Sequence, residues 1–481
     1  MIMICIVLLY FALLFTISWW TGRRATNQTF YRADRRSPWY MVAIGMVGAS
    51  ISGITFVSVP GMVNSIGMTY LQTCMGFIVG YVVIAFLLLP LYYRLNLTTI
   101  YSYLGQRIGH RAYKTGASFF LLSKMTGAAV RFYVVCWILM ECGLPPSANS
   151  VANDWLFVVV VIAMTALIWL YTRQGGIKTL VWTDVLQTVC LFGALLLIIY
   201  MVIGELGLTM GGAITAISNS ELSRVFELDD WVSKQYFWKQ FLSGAFIAIV
   251  MTGLDQDMMQ KNLTCRSLRD AQKDMCTYGV AFVPANLLFL SLGVLLTFWY
   301  QKQGLPIPAK GDDLLPVFVM SLMPTANSQL LIAIFLLGMV AAAFSSADSA
   351  LTALTTSYCV DICGRPDDER LRRRVHIGMA VVFVLFILLF RVLNSTSVID
   401  AIYILCSYTY GPLLGLFAFG LLTKRQTNDR LVPYICVASP VICYLLDMSV
   451  AQMTGYRFGY ELLMLNGFLT FLGLWISAKR C

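Results

Sequence analysis

Apolar residues in this chain gather into long runs separated by short polar interruptions, and runs such as Trp155–Tyr171 and Val189–Ile203 approach or reach the length of a hydrocarbon core. The period-two alternation of a membrane β-barrel is absent, so the spanning element is the helix, which satisfies its own backbone. Breakers and charges divide the runs into thirteen predicted helices, at 2–20, 38–64, 71–97, 116–141, 153–171, 176–203, 237–256, 275–301, 328–357, 375–391, 397–423, 430–449 and 459–478. The first run has no basic leader and no small-residue cleavage site, and Gly22-Arg23-Arg24 follows it. It reads as an anchor and not as a signal peptide. The longest connections, 204–236 and 302–327, are too short for a separate soluble domain, and Glu221–Trp231 is expected to form short interfacial helices over an external entrance.

Three of these helices carry more polarity than packing requires. The segment 38–64 holds Gly45, Gly48, Ser50, Ser52, Gly53, Thr55, Ser58, Pro60 and Gly61. Five helices later, 237–256 runs into Thr252-Gly253-Leu254-Asp255-Gln256-Asp257. Unwound backbone at mid-membrane is tolerated where it lines a cavity, and its freed carbonyls can hold a cation. Two such breaks at corresponding positions point to an inverted-repeat transporter with halves 38–203 and 237–423, flanked by 2–20 and by 430–478. Close helix packing is the competing explanation for the small residues. The third case is Phe335–Asp361, where Ser345, Ser346, Ser349 and Asp348 crowd one turn of an otherwise apolar helix. A carboxylate with clustered hydroxyls in a span is costly and marks an ion or substrate site.

Composition agrees with a polytopic membrane protein: of 481 residues 59% are hydrophobic and 12% charged, with a mean hydropathy of +0.75. The net charge of +10 could suggest a nucleic-acid partner, but its distribution follows topology. About 25 of the 34 Lys and Arg, Lys178, Lys261, Arg266, Arg269 and Lys273 among them, fall in loops after odd-numbered helices or in the C-terminal tail. Those loops are therefore cytoplasmic, which puts the N-terminus outside and the C-terminus inside a plasma (inner) membrane. The thirteen Cys are scattered through apolar segments, as at Cys5, Cys74, Cys136, Cys190 and Cys443, without metal-ligand spacing. His110 and His376, set among basic residues, read as solvated loop histidines. No nucleotide-binding loop or nucleophile–base pair is evident, so no enzyme is expected.

The ordered motifs resemble the sodium:solute symporter family, which includes sodium–glucose, sodium–proline and bacterial sodium–sialic acid transporters and has the LeuT-type fold. They are Gly22-Arg23-Arg24, GMVGASISGITFVSVPG at 45–61, GGIKTLVWTDVLQ at 175–187, GLDQDMMQKNLTCRSLRDAQK at 253–273, AAAFSSADSAL at 341–351 and YGPLLGLFAFGLLTKR at 410–425. The resemblance implies an all-α membrane protein of about thirteen helices, a 5+5 inverted repeat with one extra N-terminal and two extra C-terminal helices. It also implies a shared Na⁺ site of Gly48, Ile51 and Ala342 carbonyls with Ser345 and Ser346 hydroxyls. Oxygen donors suit a hard cation, although membrane serines also bond back to their own helix. Members that move a second Na⁺ carry an acid matching Asp184, which would face Ser345 and Ser349, with Asp348 a further candidate. Asp184 could instead pair with Lys178.

The same resemblance implies a substrate site. Sugar and proline carriers place amides or an acid where this chain has Ser50 and Thr55, whereas Ser50, Ser52 and Thr55 together are similar to the sialic acid branch. There a helix 116–141 arginine meets the substrate carboxylate, and Arg131 matches it. A guanidinium offers a bidentate fork to a carboxylate. A structural salt bridge or snorkelling remains open for Arg131, and Lys124 lies on roughly the same face, nearer the cytoplasmic entrance. Tyr70 and Gln72 would stand on the outer substrate wall. The expectation is sodium-coupled symport of a small polar solute, carboxylate-bearing and sialic acid-like. Open alternatives are a sodium-coupled sugar carrier, a channel, or a transporter-like receptor or sensor without net transport.

Overall fold

The structure, a computed structural model, describes residues 2–23, 25–143, 150–321, 328–393, 398–454, 456 and 458–479. Helices account for 82% of the chain. The main ones are α1 (Ile2–Gly22), α2 (Trp39–Ser50), α3 (Gly53–Ile66), α4 (Tyr70–Arg94), α5 (His110–Gly143), α6 (Ser150–Thr172) and α7 (Ile177–Leu206). They continue with α8 (Phe237–Ala248), α9 (Gln256–Asn262), α10 (Leu268–Gln303), α11 (Ser328–Ser357), α12 (Glu369–Leu393), α13 (Val398–Leu422), α14 (Val432–Thr454) and α15 (Leu462–Ser477). Among the described residues the sheet is one antiparallel pair, Gln426–Thr427 with Ala478–Lys479. A chain this apolar has little option, because every backbone polar group inside a bilayer must find a partner within the protein.

Both interruptions read from the sequence are present. α2 and α3 bend by 60° at Ile51–Ser52, and a π-turn at Ile249–Gly253 carries α8 into a 71° bend before α9. Among the described residues eight helices are long and apolar enough to cross a membrane, or up to ten when each bent pair counts as one span. Three apolar helices, Leu8–Gly22, Ser407–Leu422 and Leu462–Ser477, are shorter within the described residues. The 204–236 connection forms one short helix, Met210–Ser218, while the predicted Glu221–Trp231 stretch keeps one 3₁₀ turn, Glu221–Ser223, whose following Arg224 carbonyl accepts the Met68 N–H at 3.0 Å. That stretch is pinned to the α3–α4 junction.

Glycines set the closest approaches. A Cβ on Gly76 of α4 would strike the Phe241 carbonyl of α8, and one on Gly244 would strike the Thr73 carbonyl. On α2, Gly45 and Gly48 face Asp184 and Thr188 of α7 in the same way. The small residues of 45–61 therefore serve both explanations offered by the sequence. They pack α2 onto α7, and they precede a break.

Gly76→Val should push α4 from α8 and cost about 1–3 kcal/mol of overpacking, seen as a lower thermal midpoint of the detergent-purified protein. Gly193→Ala, with nothing within 4 Å of the new Cβ, should leave the midpoint unchanged or raised.

Candidate functional site

The two breaks are satisfied differently. At the second, the Gly253 and Leu254 carbonyls accept the Tyr92 and Tyr101 hydroxyls, each at 2.9 Å, and Asp255 caps the Asp257 N–H at 2.8 Å. The protein thereby consumes what the break exposes. At the first, the Ile51 N–H still bonds the Val47 carbonyl at 3.1 Å, but helical geometry ends there, with Ile51 at φ −83° and ψ 90°. Among the described residues no donor is recorded on the Gly48 or Ile51 carbonyl. A buried helix end without partners calls for a ligand. A Cβ on Gly53, just beyond, would strike Val135 of α5 and lie 3.6 Å from the Met339 carbonyl of α11, so the break lies against the serine-bearing helix.

A cavity opens beside it. Its enclosed space is about 130 Å³, and it is open on one side. Of the residues expected to bind solute or cation, Ser50, Ser52, Thr55, Tyr70, Arg131 and Ser346 line it together. Gln72 does not. It is fully buried, its amide donates to the Gln235 carbonyl at 2.8 Å, and its oxygen accepts the Glu227 N–H at 3.1 Å, so it holds the 227–235 loop in place.

The cavity also gathers Lys124, which the sequence puts on the face of Arg131, and four residues given no binding role there: Asp255, Asp257, Tyr278 and Tyr410. Lys124 Nζ lies 2.6 Å from Asp257 and 3.2 Å from Asp255, and the Tyr410 hydroxyl donates to Asp255 at 2.6 Å. Tyr278 shares a 2.6 Å hydrogen bond with Ser50. Arg131 has no ion pair or hydrogen bond recorded among the described residues. The overlooked signal was Asp255-Gln256-Asp257 itself, read only as a break although it places two carboxylates in an apolar span.

Behind the cavity stands a second polar cluster. Asp184 is fully buried: Ser345 donates to its Oδ1 at 2.8 Å, and the Gln187 amide, in the orientation that satisfies its neighbours, donates to the same atom at 3.2 Å. Lys261 Nζ stands 2.8 Å from Oδ2. Asp348 accepts the Tyr171 hydroxyl. Its Oδ1 and the Ser349 hydroxyl are buried without a recorded partner. Ser346 donates to the Ala343 carbonyl at 3.1 Å, the back-bond that membrane serines favour, which leaves its lone pairs for other use.

Three readings change here. Lys178 is not the partner of Asp184; it pairs with Asp34 at 3.5 Å, both partly exposed. Lys261 is not a cytoplasmic loop cation, because α9 resumes after the break and carries it to 1% exposure. His376 is not solvated but 2% exposed, with its ring nitrogens 2.9 Å from the Thr172 and Thr355 hydroxyls. In the latter two cases neighbouring charges disguised a residue that the helix turns inward.

The sodium:solute symporter profile matches residues 30–430, most of the chain. The chain belongs to the sodium:solute symporter family. Curated relatives include the sodium/sialic acid symporter SiaT of Proteus mirabilis (strain HI4320), 26% identical over 89% of this chain and 86% of its own length. The sodium/sialic acid symporter NanT of Aliivibrio fischeri (strain ATCC 700601 / ES114) is 25% identical over 87% and 83%. Among solved structures, the substrate-bound, outward-open state of a Na⁺-coupled sialic acid symporter, described as revealing a novel Na⁺ site, superposes with a TM-score of 0.83. At 19% identity it covers 100% of this chain and 99% of its own, and it shows that the fold is shared. The protein is thus a multi-pass membrane transporter performing sodium-coupled symport on a LeuT-type fold.

Lys124→Met would leave Asp255 and Asp257 buried without their cation and should destabilise the symporter by about 3–5 kcal/mol, read as a lower thermal midpoint. Lys178→Ala removes a partly exposed 3.5 Å pair and should cost at most ~1 kcal/mol.

Proposed function

We propose that this symporter carries a small carboxylate-bearing solute, sialic acid-like, with Na⁺ by alternating access. The observation that carries the reading is the contrast between the two cavity cations. Lys124 is held by two carboxylates, whereas Arg131 lines the same cavity and, among the described residues, makes no ion pair with either. A substrate carboxylate would supply the missing charge and match the guanidinium fork. Formally Lys124, Arg131, Asp255 and Asp257 sum to neutral, so a solute anion leaves one negative charge for Na⁺ to cancel. Ser50, Ser52, Thr55 and Tyr70 offer hydroxyl partners for the polar remainder of the solute.

In this reading Na⁺ binds between α2 and α11, on the Gly48, Ile51 and Ala342 carbonyls and the Ser345 and Ser346 hydroxyls. The uncapped end of α2 and the lone pairs of Ser346 support that assignment. Ion binding orders the break, solute binds on its other side, and one repeat moves against the other, with 38–203 and 237–423 as the repeats. Lys124 with Asp255 and Asp257 joins α5 to the second broken helix and would part as the cavity changes sides. The three shorter apolar helices complete thirteen spans, with the N-terminus outside and the C-terminus in the cytoplasm of a plasma (inner) membrane. Each entering Na⁺ contributes about 2.3 kcal/mol per 100 mV.

Counterflow of labelled sialic acid in proteoliposomes tests this directly. Wild type should exchange solute only when Na⁺ is present; binding without exchange would favour a receptor instead. Ser346→Ala should raise the half-saturating Na⁺ concentration about tenfold, the equivalent of ~1.4 kcal/mol. Arg131→Ala should abolish exchange of the acid with unchanged thermal stability, and normal exchange would return Arg131 to a structural role.

A further inference from the structure

Resting on the sodium reading above, we propose that the Lys261 ammonium is a tethered occupant of the second cation position, so that the symporter binds a single Na⁺. The residues that would make a second Na⁺ site converge on Asp184, whose Oδ1 is hydrogen-bonded and whose Oδ2 is buried with the Lys261 ammonium as its ion partner, though the two make no hydrogen bond. Oδ1 accepts from Ser345 and Gln187, and Oδ2 faces Lys261 at 2.8 Å. A buried carboxylate demands one positive charge, and the lysine delivers it. A further cation beside Asp184 would stand against a fixed ammonium in a low-dielectric setting, where like charges repel strongly.

The geometry is built from three elements. Gly45 on α2 has no Cβ, and one placed there would lie 2.9 Å from the Asp184 Cβ, so α7 seats the acid directly against the first broken helix. The bend between α8 and α9 turns Lys261 inward, and Asn262 beside it reaches Met46 on α2 at 3.2 Å. Ser345 joins this pair to the proposed Na⁺ site, since its hydroxyl hydrogen is given to Asp184 and its lone pairs remain for the ion. Lys261 thereby fixes the orientation of a sodium ligand without touching the ion.

Counting Na⁺ on the purified full-length protein decides the matter, using ²²Na⁺ alone with no solute. Wild type should bind one ion per chain with a Hill coefficient of about one, and Ser346→Ala should weaken that same ion. Lys261→Gln should bind two, whereas Lys261→Arg, which keeps the charge, should stay at one. Because Lys261→Gln leaves a buried acid unpaired, the doubly neutral Asp184→Asn/Lys261→Gln serves as the variant safe for folding, and it should bind one. Two ions on wild type, for instance one held by Asp348 and Ser349 beside the lysine, would overturn the proposal and leave the symporter reading standing. So would a single ion on a folded Lys261→Gln. No ion on wild type would instead overturn the underlying sodium site, and this proposal with it.

Discussion

Everything in this molecule answers to one constraint: inside hydrocarbon, each backbone N–H and C=O needs a partner from the protein. Straight helices meet it locally. The two bent pairs do not, and the protein resolves them in opposite ways. Around Gly253 and Leu254 it supplies tyrosine hydroxyls from α4 and from the segment after it, making that break a rigid part of the wall. Around Gly48 and Ile51 no such donor is recorded among the described residues, and both residues are buried. The asymmetry separates a break whose carbonyls are capped from one whose carbonyls are left open.

Charge follows the same economy. Lys261 is buried and Lys124 half-buried, and each meets carboxylates within 3.2 Å: Lys124 on Asp255 and Asp257, Lys261 on Asp184. Burying such pairs rarely adds net stability, since desolvation offsets their attraction. Their value lies in position. Each pair joins the second broken helix to another helix, α5 in one case and α7 in the other, so both bear on how that helix can move. Arg131, which lines the cavity but pairs with neither Asp255 nor Asp257, stands outside this scheme.

Much of the site was legible because its chemistry violates local rules. Serines and an aspartate in an apolar run, glycines crowding a span and an arginine among Gly, Ala and Val are anomalies that hydropathy exposes residue by residue. Lys261 was not legible, since Arg266, Arg269 and Lys273 follow it and make the segment look like an ordinary basic loop. His376 was hidden in the same way by Arg370 to Arg374. A helix phase, one residue in or out, decides burial, and charge counting along a chain carries no phase. Gln72 is another case: the resemblance placed it on the substrate wall, but its partners are loop carbonyl and amide groups about 160 positions away in sequence.

From sequence alone came the membrane setting, the two breaks, the hydroxyl cluster and the family to which they correspond. Each depends on composition and spacing along one segment, which the chain encodes directly. Partner choice was decided only by the tertiary structure. Asp184 could have taken Lys178, a sodium ion or Lys261, and all three were chemically adequate. The bend before α9 brings Lys261 to within 2.8 Å and leaves Lys178 to Asp34. Coulomb attraction is sensitive to separation and to burial, and both are properties of the packed helices.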